Sequence, residues 1–220
     1  MKKLFVIVPT LLLFWLPGTS CFGETAEKYY PLKEGKTWVY SISSEKQPVQ
    51  KITVTNLAPR EINGMSVTLR KWEVSGGVRY YLVAQDDYGV YRYGEQQSET
   101  AEPKIITPKV YYLKNPVDKG TNWDISTKLG EDDLKVNVTI DGIRDQVQVP
   151  AGSYNDCVKA KHEGGGQFSG KDGGDLSLTA YEWYAPDVGL VKSMVTIKKK
   201  AKDGKISSES ITYQLESFKP

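Results

Sequence analysis

The chain has 220 residues, 39% of them apolar and 25% charged, with 29 basic side chains, 27 acidic ones and one histidine. The two surplus lysines, Lys2 and Lys3, lie in the first twenty residues, so the remainder carries no formal net charge. That balance excludes nucleic-acid or anionic-lipid binding by charge alone, and a single histidine excludes a multi-histidine zinc centre.

Residues 1–20 form an export signal: Lys2 and Lys3, then an apolar run over residues 4–16 broken only by Pro9 and Thr10. The run is too short for a comfortable membrane span. Gly18-Thr19-Ser20-Cys21 follows and resembles the lipobox of bacterial lipoproteins. The resemblance implies that Cys21 receives a palmitate-type lipid and becomes the new N-terminus, with residues 21–28 as a lipidated tether. In a Gram-negative cell, Phe22 beside that cysteine resembles a sorting signal for the periplasmic face of the outer membrane. The other route is ordinary cleavage after Gly23. Without lipid, a Cys21–Cys157 disulfide becomes available; with it, Cys157 is expected to be a buried, unreactive thiol.

Beyond the tether no segment keeps a 3.6-residue period, whereas period two is common. Leu134, Val136, Val138 and Ile140 alternate with polar residues, as do Val147 and Val149 after Ile143, and Ile211, Tyr213 and Leu215 near the C-terminus. Asn63-Gly64, Asp87-Tyr88-Gly89, Asp141-Gly142 and Asp203-Gly204 read as turns. The clearest hairpin spans residues 195–215 about Lys202-Asp203-Gly204-Lys205. Along residues 78–84 both parities are apolar or aromatic, so that strand is expected to be covered on both faces, by a ligand or by the other half of the chain. Residues 164–175 read as a glycine-rich surface loop.

The chain also repeats itself. Pro31-Leu32-x-x-Gly35-x-x-Trp38 matches Pro116-Val117-x-x-Gly120-x-x-Trp123, and Tyr81 to Val90 parallels Tyr181 to Leu190. Two β units, 29–115 and 116–220, packed as one globular unit, account for this order. Trp38 and Trp123 read as core anchors that start a strand after a Pro–Gly corner. The expected fold is mainly β with little helix: an antiparallel sheet forming an open or half barrel from two duplicated units.

Tyr30-Pro31-Leu32-x-x-Gly35-x-x-Trp38-x-Tyr40, Val149-Pro150-Ala151-Gly152-Ser153-Tyr154-x-x-Cys157 and Glu182-Trp183-Tyr184-Ala185-Pro186-x-Val188-Gly189-Leu190-Val191 resemble a group of bacterial exported proteins and lipoproteins of unknown function. The overall pattern is also similar, at the level of fold, to the half-barrels of lipoprotein carriers and outer-membrane lipoprotein receptors. Neither resemblance implies a catalytic residue.

No nucleophile elbow, phosphate-binding loop or dinucleotide fingerprint is present, and no catalytic residue, metal ligand or cofactor is assigned. His162 reads as a surface histidine beside the glycine-rich stretch. Tyr81, Trp183 and Tyr184 are the candidate lining of a ligand groove. The leading expectation is a non-catalytic envelope lipoprotein, held at a membrane by its lipid, that binds an apolar ligand or a partner protein. A carboxylate-dependent hydrolase or glycan-modifying enzyme, and a structural subunit of a surface or capsule-export assembly, are the alternatives.

Overall fold

The computed structural model describes residues 23–45, 47–169 and 173–220; the export signal and Cys21 lie outside them. One short helix, α1 (Ala26–Tyr29), precedes twelve strands. They are β1 (Thr37–Ser44), β2 (Gln47–Ile62), β3 (Met65–Val74), β4 (Gly77–Asp86), β5 (Gly89–Gln96) and β6 (Lys104–Lys114), then β7 (Asn122–Leu129), β8 (Asp132–Val149), β9 (Gly152–Phe168), β10 (Gly174–Ala185), β11 (Gly189–Ala201) and β12 (Ile206–Lys219).

All twelve belong to one antiparallel sheet in the order β6-β5-β4-β3-β2-β1-β12-β11-β10-β9-β8-β7. The sheet curls into a nearly closed barrel with an unsealed seam between its edges, β6 and β7. The first six strands are therefore one meander and the last six another, and the two meet where β1 pairs with β12.

Alternation explains which way each strand faces. In β8, Leu134, Val136, Val138 and Ile140 are all buried and enter one interior cluster with Val83, Val90, Leu113, Trp123, Val158, Ala160 and Tyr184. The expected hairpin forms, with Lys200 opposite Ile206 across the 202–205 turn. At Asn63-Gly64 both residues take positive φ (52° and 75°), the backbone that a two-residue hairpin turn requires.

Bulges bend the long hairpins back over the outside of the barrel. The β2–β3 register shifts between Asn56 and Pro59. Beyond that point Leu57, Ile62 and Met65 pack on Val67, Leu69, Leu82, Ala84 and Tyr91. In β8–β9 the register shifts between Ile140 and Gly142, then twice more before Val147. The end of that hairpin covers the second half of the sheet, where Ala151 N donates to Leu215 O at 2.9 Å. Val147, Val149 and Cys157 join a cluster there with Trp38, Tyr40, Val191 and Leu215.

Four expectations change. Asp141-Gly142 is not a turn: β8 runs through it, and the bulge there absorbs the irregular residues. The bulges also leave Ile143 exposed, out of step with Val147 and Val149. Residues 164–166 and 174–175 are strand rather than loop. A side chain at Gly164 or Gly166 would stand 2.1 Å from a carbonyl of β8, so glycine lets three strands pass closely there. Finally, β4 is covered on both faces at Leu82, Val83 and Ala84, but the other half supplies only one of the covers, the interior cluster that Val83 shares with Trp123, Leu134 and Val136. Leu82 and Ala84 lie under the folded-back β2–β3 hairpin, and Val83 faces the interior.

Candidate functional site: the barrel interior and its seam

The inner face is aromatic. Tyr30 stacks on Tyr112 with centroids 4.8 Å apart and lies 6.2 Å from Tyr184. Arg70 is buried among these rings, 4.4 Å from the centroid of Tyr30 and 4.9 Å from that of Trp38. Its Nε donates to Asn56 Oδ1 at 2.8 Å and one terminal nitrogen donates to Pro31 O at 3.1 Å. Asn56 Nδ2 returns bonds to Pro31 O and Lys33 O, both at 3.1 Å. The cation is thus held by ring faces and neutral acceptors, which replace water around a guanidinium well.

Opposite stands Glu182, in β10. Its carboxylate accepts a short hydrogen bond from the Tyr184 hydroxyl. His162 Nε2 lies 3.2 Å away but off the bonding direction, so it is a close neighbour rather than a directed donor. Burial pushes the Glu182 pKa up, yet His162, Tyr184 and Ser193 outweigh it and hold the carboxyl below its usual range. A quarter of the side chain, 24%, still meets water-sized space. Glu182 is walled in but not sealed.

The cavity between Arg70 and Glu182, lined also by Tyr30, Trp72, Tyr112 and Tyr184, holds about 90 Å³. That is room for roughly three waters. The indole N–H of Trp72, the Nε of Arg92 and Nε2 of His162 are buried nitrogens without a hydrogen-bond partner among the described residues.

The candidate groove residues separate. Tyr81 lies on β4, edge-on to Trp72 at 5.7 Å and under Arg92 at 4.8 Å, so it shares the interior with Tyr184. Trp183 occupies the other face of β10, where its Nε1 donates to Asp145 Oδ2 at 3.0 Å beneath the bent β8–β9 hairpin. His162 is not a surface residue: its side chain is 15% exposed. It pairs with Val138 on one side and Ala180 on the other, both inward-facing. Sequence reading overlooked Glu182 and Arg70. The signal available was a lone charge within Tyr181-Glu182-Trp183-Tyr184, on the parity of Ala180.

At one end the seam is tied, where Trp123 Nε1 donates to Tyr111 O at 3.1 Å. Away from that tie the inward side chains of β7 lose cover: Trp123 is buried, whereas Ile125, Thr127 and Leu129 are half-buried. The far end of β6 meets an open groove of about 720 Å³ lined by residues 78–81, 95–97, 101–102 and 104. Tyr81 is part of that lining. Cys157 is buried and has no disulfide partner among the described residues, with burial and then Asp145 and Asp156 pushing its thiol up to about 11, the range of an inert thiol. No group of three or more candidate metal ligands occurs among the described residues.

No family model and no curated protein matches the chain. Among solved structures it is similar to a candidate lipoprotein from Parabacteroides distasonis ATCC 8503, with TM-score 0.46 and 15% identity over 90% of this chain and 99% of that one. It is similar as well to a candidate exported protein with a YmcC-like fold from Bacteroides fragilis NCTC 9343, with TM-score 0.45 and 15% identity over 91% of this chain and all of that one.

Proposed function

We propose that this is an exported envelope protein, tethered to a membrane through lipid on Cys21, whose barrel binds another protein without catalysing a reaction. The observation that carries the choice of partner over apolar ligand is the small size of the enclosed cavity between Arg70 and Glu182. About 90 Å³ falls well below the roughly 300 Å³ at which small-molecule sites begin, and an acyl chain needs a continuous apolar tunnel. The aromatic lining favours the same reading, because it is occupied with its own stacking and with Arg70. The carboxylate of Glu182 is engaged with Tyr184, which disfavours its use as a general acid or base on an outside substrate. The larger groove, at about 720 Å³, is open and mixes Val78, Tyr80 and Tyr81 with Arg79, Glu95, Gln97 and Lys104, a surface suited to a polypeptide.

Three measurements test this. A fluorescent fatty acid titrated into the purified domain is expected to show no saturable binding; one-to-one binding would return the carrier reading. A photo-crosslinking residue at position 125, in cells expressing the full chain, is expected to yield a discrete protein adduct that the same residue at position 194 does not. Cys21→Ala is expected to move the protein from the membrane fraction to the soluble one, and unchanged partitioning would remove the tether.

A further inference from the structure

We propose that β7 is the docking edge, and that it takes an extended segment of the partner as an added antiparallel strand beside residues 124–129. The inference rests on the protein-binding reading above and assigns it a place and a chemistry. Backbone accounting comes first. β7 pairs with β8 through all eight of its residues, and on its other side no strand pairs with it among the described residues. Past the Trp123–Tyr111 tie, alternate N–H and C=O groups of β7 therefore face outward from the ladder, where another extended backbone can take the place of water along the whole row.

The two edges are not alike. β6 carries Pro108 and three lysines, Lys104, Lys109 and Lys114, the residues that block pairing at sheet edges. β7 has no proline, and its one lysine, Lys128, is drawn 3.3 Å from Asp133. An added strand can be antiparallel to only one of two antiparallel edges, so this asymmetry selects β7. The side chains then define the segment. Ile125 and Leu129 pack on the interior cluster while half-buried, and a strand with apolar residues at every second position would complete their cover.

The molecule contains its own example. Where the halves join, β1 receives β12 through eight paired residues, with Ile211, Tyr213 and Leu215 on the side of Ile42 and Tyr40. The groove of about 720 Å³ at the open end of the seam, reached at Lys104, gives the rest of the segment a path off the barrel.

The test uses a labelled peptide with the sequence of residues 209–219, which spans the β12 segment seated on β1, and the same peptide with Gln214→Pro. With the full mature chain, anisotropy is expected to show saturable binding with Kd below about 1 mM. Hydrogen exchange is expected to slow in residues 122–129 and not in 104–114. The proline peptide is expected to bind at least about tenfold more weakly, a control that leaves the protein's folding untouched. Ile125→Asp, checked for folding by circular dichroism, is expected to abolish binding. No binding, or protection of 104–114, overturns the inference. Protection confined to residues 78–81 and 95–97 also overturns it, while leaving a protein-binding groove in place. Protection of β7 without peptide, together with a dimer in sedimentation, overturns it in favour of self-association.

Discussion

The barrel has two places where a first strand meets a last strand, and only one is sealed. β1 and β12 pair over residues 37–44 with one bulge, whereas β7 and β6 touch through the Trp123–Tyr111 tie. The approach to both is the same. Gly35 N donates to Asn56 O while Asn56 N donates to Lys36 O, and Gly120 N donates to Ile140 O while Ile140 N donates to Thr121 O. The corners therefore do not cause the difference. Its source lies in β6, whose pairing with β5 jumps from Gly94–Ile105 to Arg92–Val110. Residues 106–109, Pro108 among them, leave the ladder there. A strand that cannot follow one neighbour cannot present a straight edge to another.

The sharpest way to break the comparison is at the two tryptophans. Trp38→Ala removes a buried indole, its 2.7 Å bond to Val188 O and the stacking face of Arg70. A loss of about 4 kcal/mol in urea unfolding is expected. Trp123→Ala is expected to cost about 3 kcal/mol, and hydrogen exchange should also quicken in residues 111–129 while β1 and β12 stay protected. Equal quickening at both junctions would show that the seam is as tightly held as the sealed pair.

Glu182→Gln comes next, with about 2 kcal/mol expected at neutral pH from the lost charged hydrogen bonds. The folded carboxyl is held below its unfolded range, so its contribution is fully present above the unfolded pKa. It is lost as pH falls through the folded value. The gap between wild type and Glu182→Gln should therefore narrow below about pH 4.5; a gap that widens there would reverse the assigned sign. The smallest effect is expected for Gly94→Ala, whose Cβ would stand 2.7 Å from Lys104 O. It should cost about 1 kcal/mol, read as a lower urea midpoint, and should loosen β6 without slowing or speeding exchange in β12.

Much of this was legible along the chain because it is local. The alternation of Leu134 to Ile140 and the turns at Asn63-Gly64 and Asp203-Gly204 depend on neighbours in sequence, as does the start of a strand at each tryptophan. What was hidden depends on parity counted across bulges. Both halves carry a register shift near the same place, Leu82/Val83 and Trp183/Tyr184. The β10–β11 turn is one residue longer than the β4–β5 turn, which puts Tyr181 outside the barrel, whereas Tyr81 is inside. A gap-free alignment of the halves obscures this, and with it the inward placement of Glu182. The glycines at 164–166 were misread because their reason is a carbonyl in another strand, and no local signal reports a crossing. Arg70 and Asn56 likewise meet only once β2 and β3 are in register.

The entry of the chain into the barrel sets a length scale. Val117 N donates to Glu24 O at 2.8 Å and Ala26 N donates to Asn115 Oδ1 at 2.7 Å, so the N-terminal segment is pinned beside the connection between β6 and β7. A lipid on Cys21 would leave roughly 7 Å of chain between the bilayer and Gly23. The tied end of the seam would then rest near the headgroups. Its mouth would stand about 25 Å away along the eight residues of β7. The screening length at physiological salt is about 8 Å. With such a tether, a molecule arriving at the mouth would stand beyond the reach of the charge at the membrane surface.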